Sequence, residues 1–196
     1  MTIDQRGSRH DVDRVEELLT ELAAHVRHPN GGLRLPFERT AGDEVQGVIT
    51  DPILLVDITL RCTRAGHWAV GIGLGAIRTP IPDSTRRASG PAFENARDAV
   101  NRAKKTPEAV AVKGMQATSS RYAEAVLCTL ATLLHRRSAA GWQAVDLIMQ
   151  GRTQTQIAEV LGVSKQAVSQ RLHAAWWWHE QSLRPVAGHL LTEAAS

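Results

Sequence analysis

The side chains best spaced for chemistry lie between residues 153 and 172. Lys165, Gln166, Ser169 and Gln170 fall on the outward side of an expected helix. A glutamine amide can bond an adenine edge twice, and a lysine ammonium can reach guanine acceptors. Arg152, Thr153, Gln154 and Arg171 are better placed for phosphate oxygens, contacts that position a protein without reading sequence. The chemistry on offer is therefore recognition rather than bond breaking. The histidines (10, 25, 28, 67, 135, 173, 179, 189) show no zinc-ligand spacing. Cys62 and Cys128 stand far apart and give neither a disulfide framework nor a zinc site, which suits a reducing cytoplasm.

Such side chains need a frame. Ala158 is small where two helices would cross, and Gly162 permits a left-handed turn between them. Ile157, Leu161, Val163, Val168 and Leu172 are apolar at the inward positions, and Ser164 is a natural N-cap for the second helix. Upstream, Trp142, Val145, Leu147 and Ile148 make a supporting helix closed by Gly151. This stretch resembles the helix-turn-helix of bacterial transcription regulators and of sigma-factor region 4. The resemblance implies double-stranded DNA as partner, with the second helix entering the major groove by its N-terminal end. Paired half-sites imply a homodimer. A helical hairpin used for protein contact is the competing reading of the same register.

The chain has 196 residues, 43% of them hydrophobic, so one or two domains with a packed core are expected. The net charge of +3 is too small to imply nucleic acid by itself. No run of about 18 apolar residues exists, which excludes a membrane helix and any membrane partner of that kind. The N-terminus lacks the pattern of a secretory signal, and a cytoplasmic location is expected. Residues 118–194 read as an all-α domain carrying the helix-turn-helix at about 153–173. Its helix at 119–137 and its last one, with Leu183, Val186, Leu190 and Leu191, are candidates for a dimer interface or for core packing. Trp176, Trp177 and Trp178 span about 200° of a helix and cannot all face one core. That run is where the two halves, or two subunits, are expected to meet.

Residues 1–114 mix helix and strand patterns. A helix is expected from about His10, with Val12, Val15, Leu18, Leu19, Leu22 and Val26 on one face and Pro29-Asn30-Gly31-Gly32 ending it. Residues 33–39 and 45–50 alternate as strands around a turn at 41–44, making a hairpin. Asp51-Pro52 starts a helix that Ala65-Gly66 closes. Residues 67–74 form a β-like run whose Gly71 and Gly73 let a backbone or ligand approach closely. Residues 78–91 read as a long mobile loop, followed by a helix over 92–105 and a strand over 108–113. The fold class is α+β, a sheet with packed helices joined to the all-α domain.

Arg39-Thr40-Ala41-Gly42-Asp43-Glu44-Val45 resembles the Gly-Asp hairpin of nucleotidyl-cyclase palm domains, with Ala41 in place of the first Gly of the GGDEF signature. Residues 96–104, ending Ala103-Lys104, resemble the penultimate helix of that branch. Asp4-Gln5-Arg6-Gly7-Ser8-Arg9, Asp13-Arg14 and Ser89-Gly90-Pro91-Ala92-Phe93 are most similar to the SatD family. The resemblance implies a ferredoxin-like palm. It puts carboxylates Asp4 and Asp43 around Mg²⁺ with a nucleotide, Gly42 close to the ligand, the amides near Gly7 and Ser8 on phosphates at the start of the first helix, and Lys104 as a phosphate contact. The intact signature, the base-reading pair of class III cyclases and their Asn/Arg transition-state pair are missing. The expectation is thus a transcriptional regulator whose palm senses a nucleotide or dimerises. The alternative is a nucleotidyl cyclase, or related Mg²⁺-dependent nucleotide enzyme, with a DNA-binding tail.

Overall fold

The computed structural model describes residues 1–8, 10–26 and 32–196. Strand β1 (Thr2–Gln5) is followed by helix α1 (Val15–Val26), the hairpin β2 (Leu33–Ala41) and β3 (Glu44–Ile49), helix α2 (Pro52–Ala65) and strand β4 (Trp68–Gly73). Helix α3 (Pro91–Ala103) then crosses to β5 (Val110–Lys113). Five helices complete the described chain: α4 (Ala117–Arg136), α5 (Ala139–Met149), α6 (Gln154–Leu161), α7 (Lys165–Ala174) and α8 (Trp177–Ala195). The class is α+β. No helix among the described residues is long and apolar enough to cross a membrane.

The five-stranded sheet has the order β2-β3-β1-β4-β5. Its first four strands pair antiparallel, and β5 joins β4 in parallel through the α3 crossover. Although β1 has only four residues, it is central and paired on both edges. Gly42, with φ of 56°, takes the first loop position between β2 and β3, where a primed hairpin turn needs a positive φ.

Local signals explain the helix ends of the first half. Asp51 accepts hydrogen bonds from the amides of Ile53 and Leu54, Pro52 opens α2, and Gly66 closes it at φ 77°. The first helix differs from expectation. It begins at Val15, because Asp13 accepts from the Val15 amide and Gln5 holds the preceding segment. The Gln5 side chain donates to Val12 O at 2.7 Å and accepts from Arg14 N at 3.0 Å. Val12 is therefore outside the helix and exposed. The expected stop at Pro29-Asn30-Gly31 lies outside the described residues, as does Arg9 of the SatD-like stretch.

Ile3, Val45, Val70 and Ile72 of the sheet share one core with Leu18 and Leu22 of α1, Val56 and Ile58 of α2, Leu127 and Leu130 of α4, and Leu191 of α8. The inner faces of α4 and α8 are thus core packing. The opposite sheet face is covered by α3 over β4 and β5. A Cβ on Gly71 would lie 2.3 Å from Val100 N, and one on Gly73 would lie 2.1 Å from Ala96 N. The two glycines admit a helix backbone, not a ligand. The 78–91 segment, expected to be mobile, is pinned to β2. Ser84 Oγ and Arg86 N donate to the Glu38 carboxylate at 2.8 and 2.9 Å, and Thr85 Oγ1 donates to Pro36 O at 2.6 Å.

Helices α5, α6 and α7 form a separate three-helix unit around Val145, Ile157, Val168, Leu172 and Trp177. Trp177 alone of the tryptophan run enters this core, while Trp176 and Trp178 are exposed. The halves also meet on either side of that run. Arg137, between α4 and α5, donates to Ala175 O at 3.1 Å and to Glu180 of α8 at 2.5 Å. One buried guanidinium thereby ties the C-terminal end of α7 to the body, where a helix terminus favours a cation.

Candidate functional site

The three-helix unit presents α7 outward. Thr153 caps α6 in a reciprocal capping box with Gln156, Gly162 turns the chain at φ 62°, and Ser164 caps α7 by accepting from Ala167 N. Val168 and Leu172 point into the unit's core. At 100° per residue, Lys165, Gln166, Ser169, Gln170 and His173 fall within an arc of about 140° that starts beside the core-facing Leu172 and turns away from it. All five are exposed. Among the described residues, Lys165, Gln166, Ser169 and Gln170 have no side-chain hydrogen-bond or ion-pair partner, and α7 contains no acidic residue. The stripe is free to meet a ligand over about two helical turns.

The other expected residues divide. Arg152 and Thr153 are exposed at the start of α6, and Gln154 is half-buried. Thr153 and Ser164 use their hydroxyls on their own helices as caps. Arg171 is half-buried and lies 3.5 Å from Gln143 Oε1 of α5, on the flank of the unit rather than in the stripe. His173 was missed. Its four-residue spacing from Ser169 is the signal that places it in line.

A second polar site lies on the sheet face that α3 only partly covers. Directly paired residues share a face, so Asp4 and Glu44 stand side by side, next to the Thr2 and Gln46 pair. Asp4 is 6% exposed and Glu44 is 2% exposed. Two cations from the α3 side answer them. Lys104 Nζ lies 2.6 Å from Asp4 Oδ2, and Arg97 forks onto Glu44. Thr40 Oγ1 and Gln46 Nε2 donate to the same Glu44 carboxylate at 2.7 and 3.0 Å. Burial pushes the Asp4 carboxyl above its ordinary range against the pull of Lys104.

This site differs from the expected one. The partner of Asp4 across the strands is Glu44; Asp43 sits half-buried in the turn and lends its backbone carbonyl to Gln5 N at 3.2 Å. Gly42 is exposed at the same turn. Gly7 and Ser8 lie in the turn after β1, well before α1 begins at Val15, so no helix N-terminus stands behind their amides. The neighbouring Arg6 amide is spent on His67 O at 2.7 Å. Among the described residues, no group of three or more His, Cys, Asp or Glu is arranged to hold a metal. With Lys104 and Arg97 on the two carboxylates, the donor set as it stands does not fit Mg²⁺.

The chain matches no family model, no curated protein and no solved structure.

Proposed function

We propose that the chain is a DNA-binding transcriptional regulator that reads duplex DNA with α7 and works as a homodimer in the cytoplasm. The observation that carries this reading is the stripe of Lys165, Gln166, Ser169 and Gln170. It is exposed, uncommitted to other side chains and free of acidic neighbours on its own helix. Gln166 and Gln170 supply adenine-reading amides, and Lys165 a guanine-reading cation. Arg152 and Arg171 flank them as phosphate contacts. One such unit makes few phosphate contacts, so tight binding requires two units on paired half-sites.

Fluorescence anisotropy with a mixed-sequence duplex at low salt tests the reading. The wild-type chain binds, added salt weakens binding steeply, and Lys165→Glu weakens it on every sequence. Absence of binding at low salt refutes the reading.

The α/β half is proposed to be a palm of the nucleotidyl-cyclase kind, akin to SatD, serving as sensor or dimerising module. Its support is the βαββαβ order, with β1 between β3 and β4 as in ferredoxin-like sheets, and the paired carboxylates on the face away from α1 and α2. A nucleotide phosphate would draw Lys104 and Arg97 to itself, freeing Asp4 and Glu44. Nucleoside triphosphates with Mg²⁺ then raise the melting temperature of the wild-type chain and not of Lys104→Met. An equal shift in both removes the sensor from the account.

A further inference from the structure

Between α1, α2, α5 and α8 runs a cleft of about 980 Å³. Its size is that of a small-molecule site, and it lies where the α/β half meets the DNA-reading unit. Ala24, Leu60, Leu134 and Met149 give it apolar surface. Most of its charges are already matched. Arg184 bonds both Asp57 and Glu180, and Glu180 also holds Arg137. Arg64 of α2 forks onto Asp146 of α5 at 2.5 and 2.8 Å.

That last pair is the most open of these. Its side chains are 42% and 36% exposed, against 18% and 35% for Arg184 and Asp57 and 1% and 2% for Arg137 and Glu180. Arg61, one turn before Arg64 on the same helix, also lines the cleft and has no hydrogen-bond or ion-pair partner among the described residues. Two guanidiniums therefore face the cleft, one without a partner among the described residues and one held by an exchangeable carboxylate and by stacking on Trp142. Both faces of the Trp142 ring are covered, by Arg64 at 3.9 Å and by Arg137 at 4.3 Å, so the ring offers no stacking surface.

We propose that this cleft binds a small organic acid with one carboxylate and an apolar body, and that the ligand takes Arg64 away from Asp146. A planar guanidinium binds a free carboxylate by the same two-point fork it makes with Asp146. Arg61 adds a second contact. Glu21, an exposed acid on the rim with no ion-pair partner among the described residues, disfavours ligands with several negative charges. The apolar body rests on Ala24 and Met149, which an inorganic anion would leave wet. Binding releases Asp146 and with it one tie between α2 and α5, so the ligand favours a looser placement of the reading unit.

The test is isothermal titration of the full chain with hexanoate, hexylamine and inorganic phosphate. Hexanoate binds saturably at one site, while the other two probes do not. Asp146→Asn removes the competing carboxylate and tightens hexanoate binding about three-fold, the size expected for loss of an exposed ion pair. Arg61→Met with Arg64→Met abolishes it. Three outcomes overturn the proposal: no saturable hexanoate binding, equal or weaker binding by Asp146→Asn, or equal binding of hexylamine or phosphate. Should the double arginine variant fail to fold, the Asp146→Asn comparison alone decides. No DNA enters the measurement, so its outcome is separate from that of the DNA-reading proposal.

Discussion

Arg64 of α2 and Asp146 of α5 are joined by a two-point fork at 2.5 and 2.8 Å, and the same guanidinium lies 3.9 Å above the Trp142 ring. One side chain thus spans the junction between the sheet's helices and the three-helix unit. It acts by charge and by stacking together. An exposed ion pair contributes at most about 1 kcal/mol, and a cation over an indole about as much again. Arg64→Ala is expected to cost about 1–2 kcal/mol in denaturant unfolding. Asp146→Asn, which keeps the stacking, costs less.

The neighbouring buried pair behaves differently. Glu180 neutralises Arg137, whose side chain is 1% exposed. Removing the carboxylate strands a buried cation, so Glu180→Ala costs about 3–5 kcal/mol. Thermal melting with circular dichroism reads this directly. A loss within about 1 kcal/mol would show that Arg137 finds water or another partner.

Gly73 lies under α3 with Ala92 O at 2.2 Å from where a Cβ would be. Backbone cannot rotate away as a side chain can. Gly73→Ala is expected to cost about 3 kcal/mol or more, at the upper end for overpacking. Gly151→Ala provides a control without a clash, because nothing lies within 4 Å of its added Cβ. There only the positive φ of 81° is penalised, by about 1 kcal/mol.

Two carboxylates should titrate in opposite directions. The Arg86 amide and Ser84 hydroxyl hold Glu38 below the usual glutamate range, whereas burial holds Asp4 above the usual aspartate range. The Glu38 contribution is present above the unfolded glutamate value and is lost as pH falls through the lower folded value. The Asp4 contribution has the other sign. It is full below the unfolded aspartate value and is lost as pH rises through the higher folded one. Carboxyl-carbon NMR titration measures both. In Glu38→Gln, amide exchange at residues 84–87 should no longer quicken as the acid range is entered.

The sequence carried the features whose cause is local. Asp51-Pro52, Gly66, Gly162 and Ser164 each act on a backbone within a few residues, and each lies where the spacing placed it. Glu44 was passed over because its importance depends on strand register. The two-residue Gly42-Asp43 turn sets Glu44 opposite Ala41, and the separate β1–β3 ladder sets it opposite Asp4, a pairing that no single stretch displays. The junction expected at the Trp176–Trp178 run has Trp177 in the three-helix core and Arg137 bound to Ala175 O and Glu180 on either side. Its other part, Arg64 with Trp142 and Asp146, joins residues about 80 positions apart, which no single stretch displays.

The central claim is that α7 reads DNA, and selection from a randomised duplex pool tests it most directly. The account predicts that the wild-type chain enriches a symmetric pair of half-sites about one helical turn apart. Gln166→Ala with Gln170→Ala should keep duplex affinity at low salt but lose the adenine preference within each half-site. Failure to enrich any sequence, or enrichment of the same motif by the double variant, would contradict it.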